Sequence, residues 1–223
     1  MLNHQTLREE VTHIARRMSV SGLSPMTSGN VSARTPEGDV LITPSGLDYE
    51  DLEPRDIILV NLDGEVLEGD LEPSTESPMH TGLYRSKLHV GGVVHTHSPY
   101  ATTLACLGME IPPVHYMLAA LSTEGRVPLA PYATYGTEKL ARHAGEALGD
   151  SNSVCLLQNH GTIAVAATVA EAYSRTEMLE EMAGIYYRTL TAGEPVILTS
   201  EQIAETREKI IHYGQSKRVV GSG

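Results

Sequence analysis

The stretch that most constrains this chain is GGVVHTHSP, from Gly91 to Pro99. Val93 and Val94 are β-branched and apolar, so the run reads as a short buried strand closed by Ser98-Pro99. Side chains alternate along a strand, which puts His95 and His97 on one face and Thr96 on the other. Two imidazoles on one face at a strand end can grip a single metal ion without backbone strain. An isolated H-x-H can equally be a polar pair closing a strand, so the decision comes from elsewhere in the chain.

At 223 residues the chain fits one sizeable domain that can bury a core unaided. It has ten Tyr but no Phe or Trp, so that core must be built mainly from aliphatic side chains and Met. A formal net charge of −12 argues against a nucleic-acid partner, because phosphate backbones reward clustered Lys and Arg. A small anionic substrate remains compatible, since local donors and a metal override a diffuse acidic field. The only cysteines, Cys106 and Cys155, have no CxxC neighbour, which excludes a disulfide framework or thiolate zinc cluster. The N-terminal MLNHQTLREE lacks an apolar signal core, and no apolar run reaches membrane-spanning length. The expectation is a soluble, cytoplasmic protein with neither membrane nor nucleic acid as partner.

Apolar positions Leu7, Val11, Ile14, Ala15 and Met18 predict a helix over residues 3–20, stopped by Gly22. TSGNVSAR reads as a turn opening into a strand, DVLITPSG as a second strand, and Asp63-Gly64 as a two-residue hairpin turn. Ser74 or Thr75 would cap the next helix, whose His80 fits a solvated or half-buried face, as does His143 in a later helix. A short helix follows at 100–107, then one capped by Thr137, then two strands about Asn159-His160-Gly161. Thr168 opens a long helix to about Ala192, and Ser200 a last one through Tyr213. This mixed order predicts one α/β domain over residues 1–216, with helices on the faces of a sheet and a flexible tail at 217–223. No Gly-x-Gly-x-x-Gly or Walker loop supports a nucleotide fold.

A catalytic zinc takes three protein ligands and keeps a position open. His160, in a tight turn between apolar strands, is the best third ligand after His95 and His97. Glu76, at a helix start, is a candidate fourth ligand or base. Three further segments offer hydroxyls and unpaired backbone N–H groups, the donors that a phosphate prefers: Thr27 to Asn30, Thr43 to Gly46, and Ser74-Thr75.

The segments SGNVSAR, LITPSGLDYEDL, PSTE, VVHTHSPYAT, IPPVHYMLAAL, APYATYGT and LLQNHG occur in that order between about Leu7 and Tyr213. Together they resemble the class II aldolase/adducin family, and within it the fuculose-phosphate-aldolase branch. The resemblance implies a three-layer α/β fold, its central, mainly antiparallel sheet flanked by helices. It also implies one zinc per chain on His95, His97, His160 and Glu76, a donor set that suits Co²⁺ or Mn²⁺ as well. Glu76 then becomes the catalytic base when substrate displaces it. The substrate phosphate is implied to lie on Thr27 with Asn30, Ser45 with Gly46, and Ser74 with Thr75. Tyr116 is implied as a proton donor reaching a neighbouring subunit's site, and Tyr213 as a residue that closes it. The implied assembly is a homotetramer with sites at its interfaces. The implied reaction cleaves a ketose 1-phosphate to dihydroxyacetone phosphate and an aldehyde, through an enediolate whose charge the metal stabilises.

Aldolases for 5-deoxyribulose 1-phosphate or 5-methylthioribulose 1-phosphate would share nearly all these motifs. The family's epimerases, dehydratases and decarboxylases keep the three histidines, but the intact HYM and PYATYGT stretches lean toward the fuculose-type aldolase. Non-catalytic adducin-like scaffolds share the fold but lack the full metal set, which is present here.

Overall fold

The computed structural model describes residues 3–211. The N-terminal apolar stripe forms helix α1, Gln5–Val20, burying Val11, Ile14, Ala15 and Met18. Four short strands follow: β1 (Asn30–Arg34), β2 (Val40–Ile42), β3 (Ile58–Val60) and β4 (Val66–Glu68). Helix α2 spans Ser77–Ser86, the histidine strand β5 spans Gly92–Thr96, and helix α3 spans Pro99–Cys106. After a 3-10 turn at Tyr116–Ala120 come β6 (Leu129–Ala130), helix α4 (Glu138–Leu148), β7 (Val154–Leu157) and β8 (Gly161–Ala166). Helices α5 (Val169–Ala192) and α6 (Ser200–Ile211) complete the described chain. The caps expected at Thr137 and Thr168 are formed: each hydroxyl accepts a backbone N–H three residues on, from Leu140 and Glu171.

The eight strands form one sheet in the order β4-β3-β2-β1-β5-β8-β7-β6, antiparallel except for the β6–β7 pair. Alternation along each strand divides the core. Val93, Ile42, Val60, Cys155 and Ile163 pack with α2 and α4 on one face. Val94, Leu41 and Leu59 pack with α1 and α5 on the other, where α3 also lies. Burying each such aliphatic side chain contributes about 1.5–3 kcal/mol. A one-residue slip of β5 would exchange Val93 and His95 with Val94 and Thr96 between faces, so hydrophobic packing itself holds His95 on the α2 side. Among the described residues, no helix is long and apolar enough to cross a membrane.

Three expectations need correction. Neither Ser74 nor Thr75 caps α2; Glu76 occupies the cap position, and the Ser74 hydroxyl instead accepts the Glu76 N–H at 3.2 Å. The β3–β4 connection is wider than Asp63-Gly64 alone. Asn61 and Glu65 face each other across it, Gly64 takes φ 86°, and the Asn61 side chain accepts the N–H groups of Asp63 and Glu65. His80 is wholly buried, because α2 turns that face onto β1 and not toward water. Tyr213 and the 217–223 tail lie outside the described residues.

Candidate metal centre and active-site cleft

Three elements bring the donors together. β5 delivers His95 and, just past its end, His97; the turn between β7 and β8 delivers His160; the start of α2 delivers Glu76. One ligand atom from each of the four lies within 4.8 Å of all the others. The His95 and His97 Nε2 atoms are 3.1 Å apart, His95 Nε2 is 3.0 Å from Glu76 Oε2, and His160 Nε2 is 3.3 Å from Glu76 Oε1. Ligands about 2.0–2.1 Å from a tetrahedral zinc are separated by about 3.3–3.4 Å, so these spacings match a single small cation.

The local backbone allows this convergence. Asn159 takes a left-handed φ of 55°, turning the chain so that His160 faces Glu76. Gly161 has no room for a side chain: a Cβ there would lie 2.4 Å from the Thr96 carbonyl and 2.8 Å from the His97 ring. The three imidazoles pack edge to face, with centroids 4.8–5.1 Å apart.

The donor chemistry also fits a cation. His95 Nδ1 donates to the Thr162 carbonyl at 2.7 Å, which leaves Nε2 to face His97 and Glu76. Glu76 Oε1 is buried and accepts no hydrogen bond. Burial and the charge of His95 push both His97 and His160 down to about 4, so at neutral pH each presents a lone pair. Burial opposes ionisation of Glu76, but the His95 charge and hydrogen bond, with help from His160 and Asn30, hold it well below the usual carboxylate range. Burial likewise disfavours a charged His95, but the Glu76 carboxylate outweighs that and raises its pKa. Lone pairs and a carboxylate thus converge on one point that a divalent metal can fill.

The centre opens into a cavity of about 330 Å³. All six residues singled out for a phosphate (Thr27, Asn30, Ser45, Gly46, Ser74 and Thr75) line it, together with Glu76, His97 and His160. Gly29 sets the first turn, because its φ is 78° and a Cβ would meet Ser24 Oγ at 2.1 Å and the His95 carbonyl at 2.7 Å. Tyr132 and Tyr135 line the same cavity and are exposed. The APYATYGT segment contained them, but no spacing argument marked them as wall residues.

Two expectations fare differently. Tyr116 opens the 3-10 turn, is 52% exposed, and is not among the residues that line the cavity of its own chain. Asn30 lines the cavity, but its side-chain amide is also bound to Glu76 and His80, an engagement that sequence reasoning missed.

Residues 9–187 match the family described as Class II Aldolase and Adducin N-terminal domain. The 5-deoxy-D-ribulose 1-phosphate aldolase of Bacillus thuringiensis serovar kurstaki is 43% identical over 212 residues, covering 95% of this chain and 98% of that protein. The 5-methylthioribulose-1-phosphate/5-deoxyribulose-1-phosphate aldolase of Rhodospirillum rubrum is 39% identical, covering 96% and 95%. The solved structure of an L-fuculose 1-phosphate aldolase superposes with a TM-score of 0.89 at 34% identity, covering 95% of this chain and 98% of that one. The chain belongs to the class II aldolase family and is an enzyme of the aldehyde-lyase type.

Proposed function

We propose that this protein cleaves a ketose 1-phosphate between C3 and C4, giving dihydroxyacetone phosphate and a short aldehyde. One observation carries the reading: a Glu/His₃ cluster opens directly into a cavity walled by three segments rich in hydroxyl and N–H donors. Such a cavity suits a substrate with a phosphate at one end and vicinal oxygens near the cluster. Identities of 43% and 39% to relatives named for 5-deoxyribulose 1-phosphate, against 37% to an L-fuculose phosphate aldolase, support an aldehyde without the 2-hydroxyl that the fuculose 1-phosphate product carries.

In this reading His95, His97, His160 and Glu76 hold a divalent cation, for which zinc is the proposed ion and Co²⁺ or Mn²⁺ are substitutes. When bound, that ion supplies Lewis-acid stabilisation of negative charge on the substrate oxygens. The side chains of Thr27, Asn30, Ser45, Ser74 and Thr75, with the Gly46 backbone, bind the phosphate and fix the position of C3. Loss of the C4 hydroxyl proton converts C4 to the aldehyde carbonyl, and the C3–C4 electron pair is left on the enediolate. That proton leaves through Tyr116 to solvent, and Glu76 takes a proton from solvent and delivers it to C3; in the condensing direction both transfers reverse. Tyr116 exchanges the proton at the aldehyde oxygen. In this reading a second copy supplies Tyr116, which is exposed and absent from its own chain's cavity wall, and the proposed assembly is a homotetramer with shared sites. A cytoplasmic location agrees with the free thiols of Cys106 and Cys155.

The test is a panel of 5-deoxyribulose, 5-methylthioribulose and fuculose 1-phosphates, followed by enzymatic detection of dihydroxyacetone phosphate. Release from at least one, fastest with the first, is expected. Release from none, with epimerisation of ribulose 5-phosphate, would overturn the reading.

A further inference from the structure

The metal cluster is backed by a second polar assembly on the α2 side of the sheet. Two residues along a strand rise about 6.6 Å and four along a helix about 6.0 Å, so side chains two apart on β1 can alternate with side chains four apart along α2. Asn30 and Ser32 therefore meet Glu76, His80 and Tyr84 in succession. Asn30 Nδ2 lies 3.0 Å from Glu76 Oε2, and Asn30 Oδ1 lies 2.5 Å from His80 Nε2. His80 Nδ1 lies 2.6 Å from Ser32 Oγ, which lies 2.9 Å from the Tyr84 hydroxyl. Ser32, His80 and Tyr84 are wholly buried and Asn30 is 4% exposed.

The chemistry of these groups fixes every donor. A carboxylate that ligates a metal can only accept, so Asn30 presents its NH₂ to Glu76 and its carbonyl oxygen to His80. His80 must then carry its proton on Nε2. The imidazole is wholly buried and its two ring nitrogens face only the uncharged Asn30 amide and Ser32 hydroxyl, which favours its neutral form. Nδ1 is thus an acceptor for the Ser32 hydroxyl, which in turn accepts from Tyr84. All four hydrogen bonds run one way and end on the carboxylate. Without His80, the buried Asn30 oxygen loses its donor and the amide is held by Glu76 alone.

We propose that Tyr84, Ser32 and His80 form a positioning relay that locks the Asn30 amide and, through it, the orientation of the Glu76 carboxylate for metal binding and proton transfer. His80 touches neither metal nor substrate in this account; it acts through Asn30. The metal half rests on the four-residue cluster, and the proton-transfer half rests on the function proposed above. Outer partners of metal ligands commonly change affinity or activity by about 10–100-fold.

The test compares His80→Leu, which removes both ring nitrogens, with His80→Gln, which keeps an N–H near the Nε2 position. Zinc affinity is measured by competition with a chromophoric chelator. Exchange of the C3 proton of dihydroxyacetone phosphate in D₂O is followed by NMR. For His80→Leu, both should fall by about 10–100-fold, and His80→Gln should recover each to within about threefold of wild type. If His80→Leu does not fold, Ser32→Ala, which loses only a hydroxyl, should weaken zinc binding by about three- to tenfold. Long-range ¹H–¹⁵N spectra of the wild-type protein should show His80 as the Nε2–H tautomer. The relay is overturned by the opposite tautomer, by unchanged zinc affinity in the folded variants, or by His80→Gln being as impaired as His80→Leu at equal melting temperature. Absence of exchange in the wild type would instead overturn the proposed function, while zinc affinity would still decide the relay.

Discussion

The Nε2 atoms of His95 and His97 face each other at 3.1 Å. His95 Nδ1 is already committed to the Thr162 carbonyl, so its Nε2 must serve either a proton shared with Glu76 or a metal. Burial opposes a charge on His95, but the Glu76 carboxylate raises its pKa, so a proton competes with metal for Nε2. Apparent zinc affinity should therefore rise as pH increases from 6 to 8, and binding should release protons. Calorimetry in buffers of different ionisation enthalpy measures that release; none at pH 7 would contradict the assignment.

Glu76→Gln keeps the shape of the side chain and removes its charge and basicity. We expect exchange of the C3 proton of dihydroxyacetone phosphate to fall by at least about 10²-fold. Inhibition by inorganic phosphate should change only a few-fold, because the proposed phosphate wall is left untouched. Comparable losses in both would show that Glu76 supports the cleft and does not carry the proton.

Tyr116 should act between copies. Tyr116→Phe should lower cleavage by about 10²–10⁴-fold. Co-expressing that variant with Glu76→Gln should restore activity in about a quarter of randomly assembled shared sites, where both intact residues meet. No recovery in verified hybrid assemblies would place Tyr116 in its own chain's site or outside catalysis.

Buried His80 also makes an acid-stability prediction. Its folded pKa of about 3 lies below the unfolded value of about 6.5, so the unfolded chain takes up a proton first as pH falls. The stability from keeping it neutral is present above about pH 6.5 and is lost progressively between about 6.5 and 3. In metal-free protein, His80→Gln should reduce the slope of unfolding free energy between pH 6 and 5 by about 1.4 kcal/mol per pH unit. Urea titrations at the two pH values measure it; equal slopes would mean that His80 is not held neutral.

Much of the centre was legible because its spacing is local or periodic. His95 and His97 follow from strand alternation, and His160 from a turn that needs Gly161. The helix caps at Thr137 and Thr168 depend on side chains three residues from their partners. What escaped depends on pairing between distant segments. Nothing near His80 announces that α2 lies along β1, so a histidine suited to a helix surface became part of a buried chain of hydrogen bonds. Asn30 was legible as a turn donor but not as a partner of Glu76, 46 residues away. Tyr132 and Tyr135 reach the cavity through a loop with no period to follow, and Tyr116 faces outward from its own chain.

In the proposed function, cleavage depends on an ion held by His95, His97, His160 and Glu76. Dihydroxyacetone phosphate release from 5-deoxyribulose 1-phosphate should be measured with metal-free protein during stepwise addition of zinc. Release should be negligible without metal and should rise to saturate near one equivalent per chain. A metal-free preparation that cleaves at the full rate would contradict it.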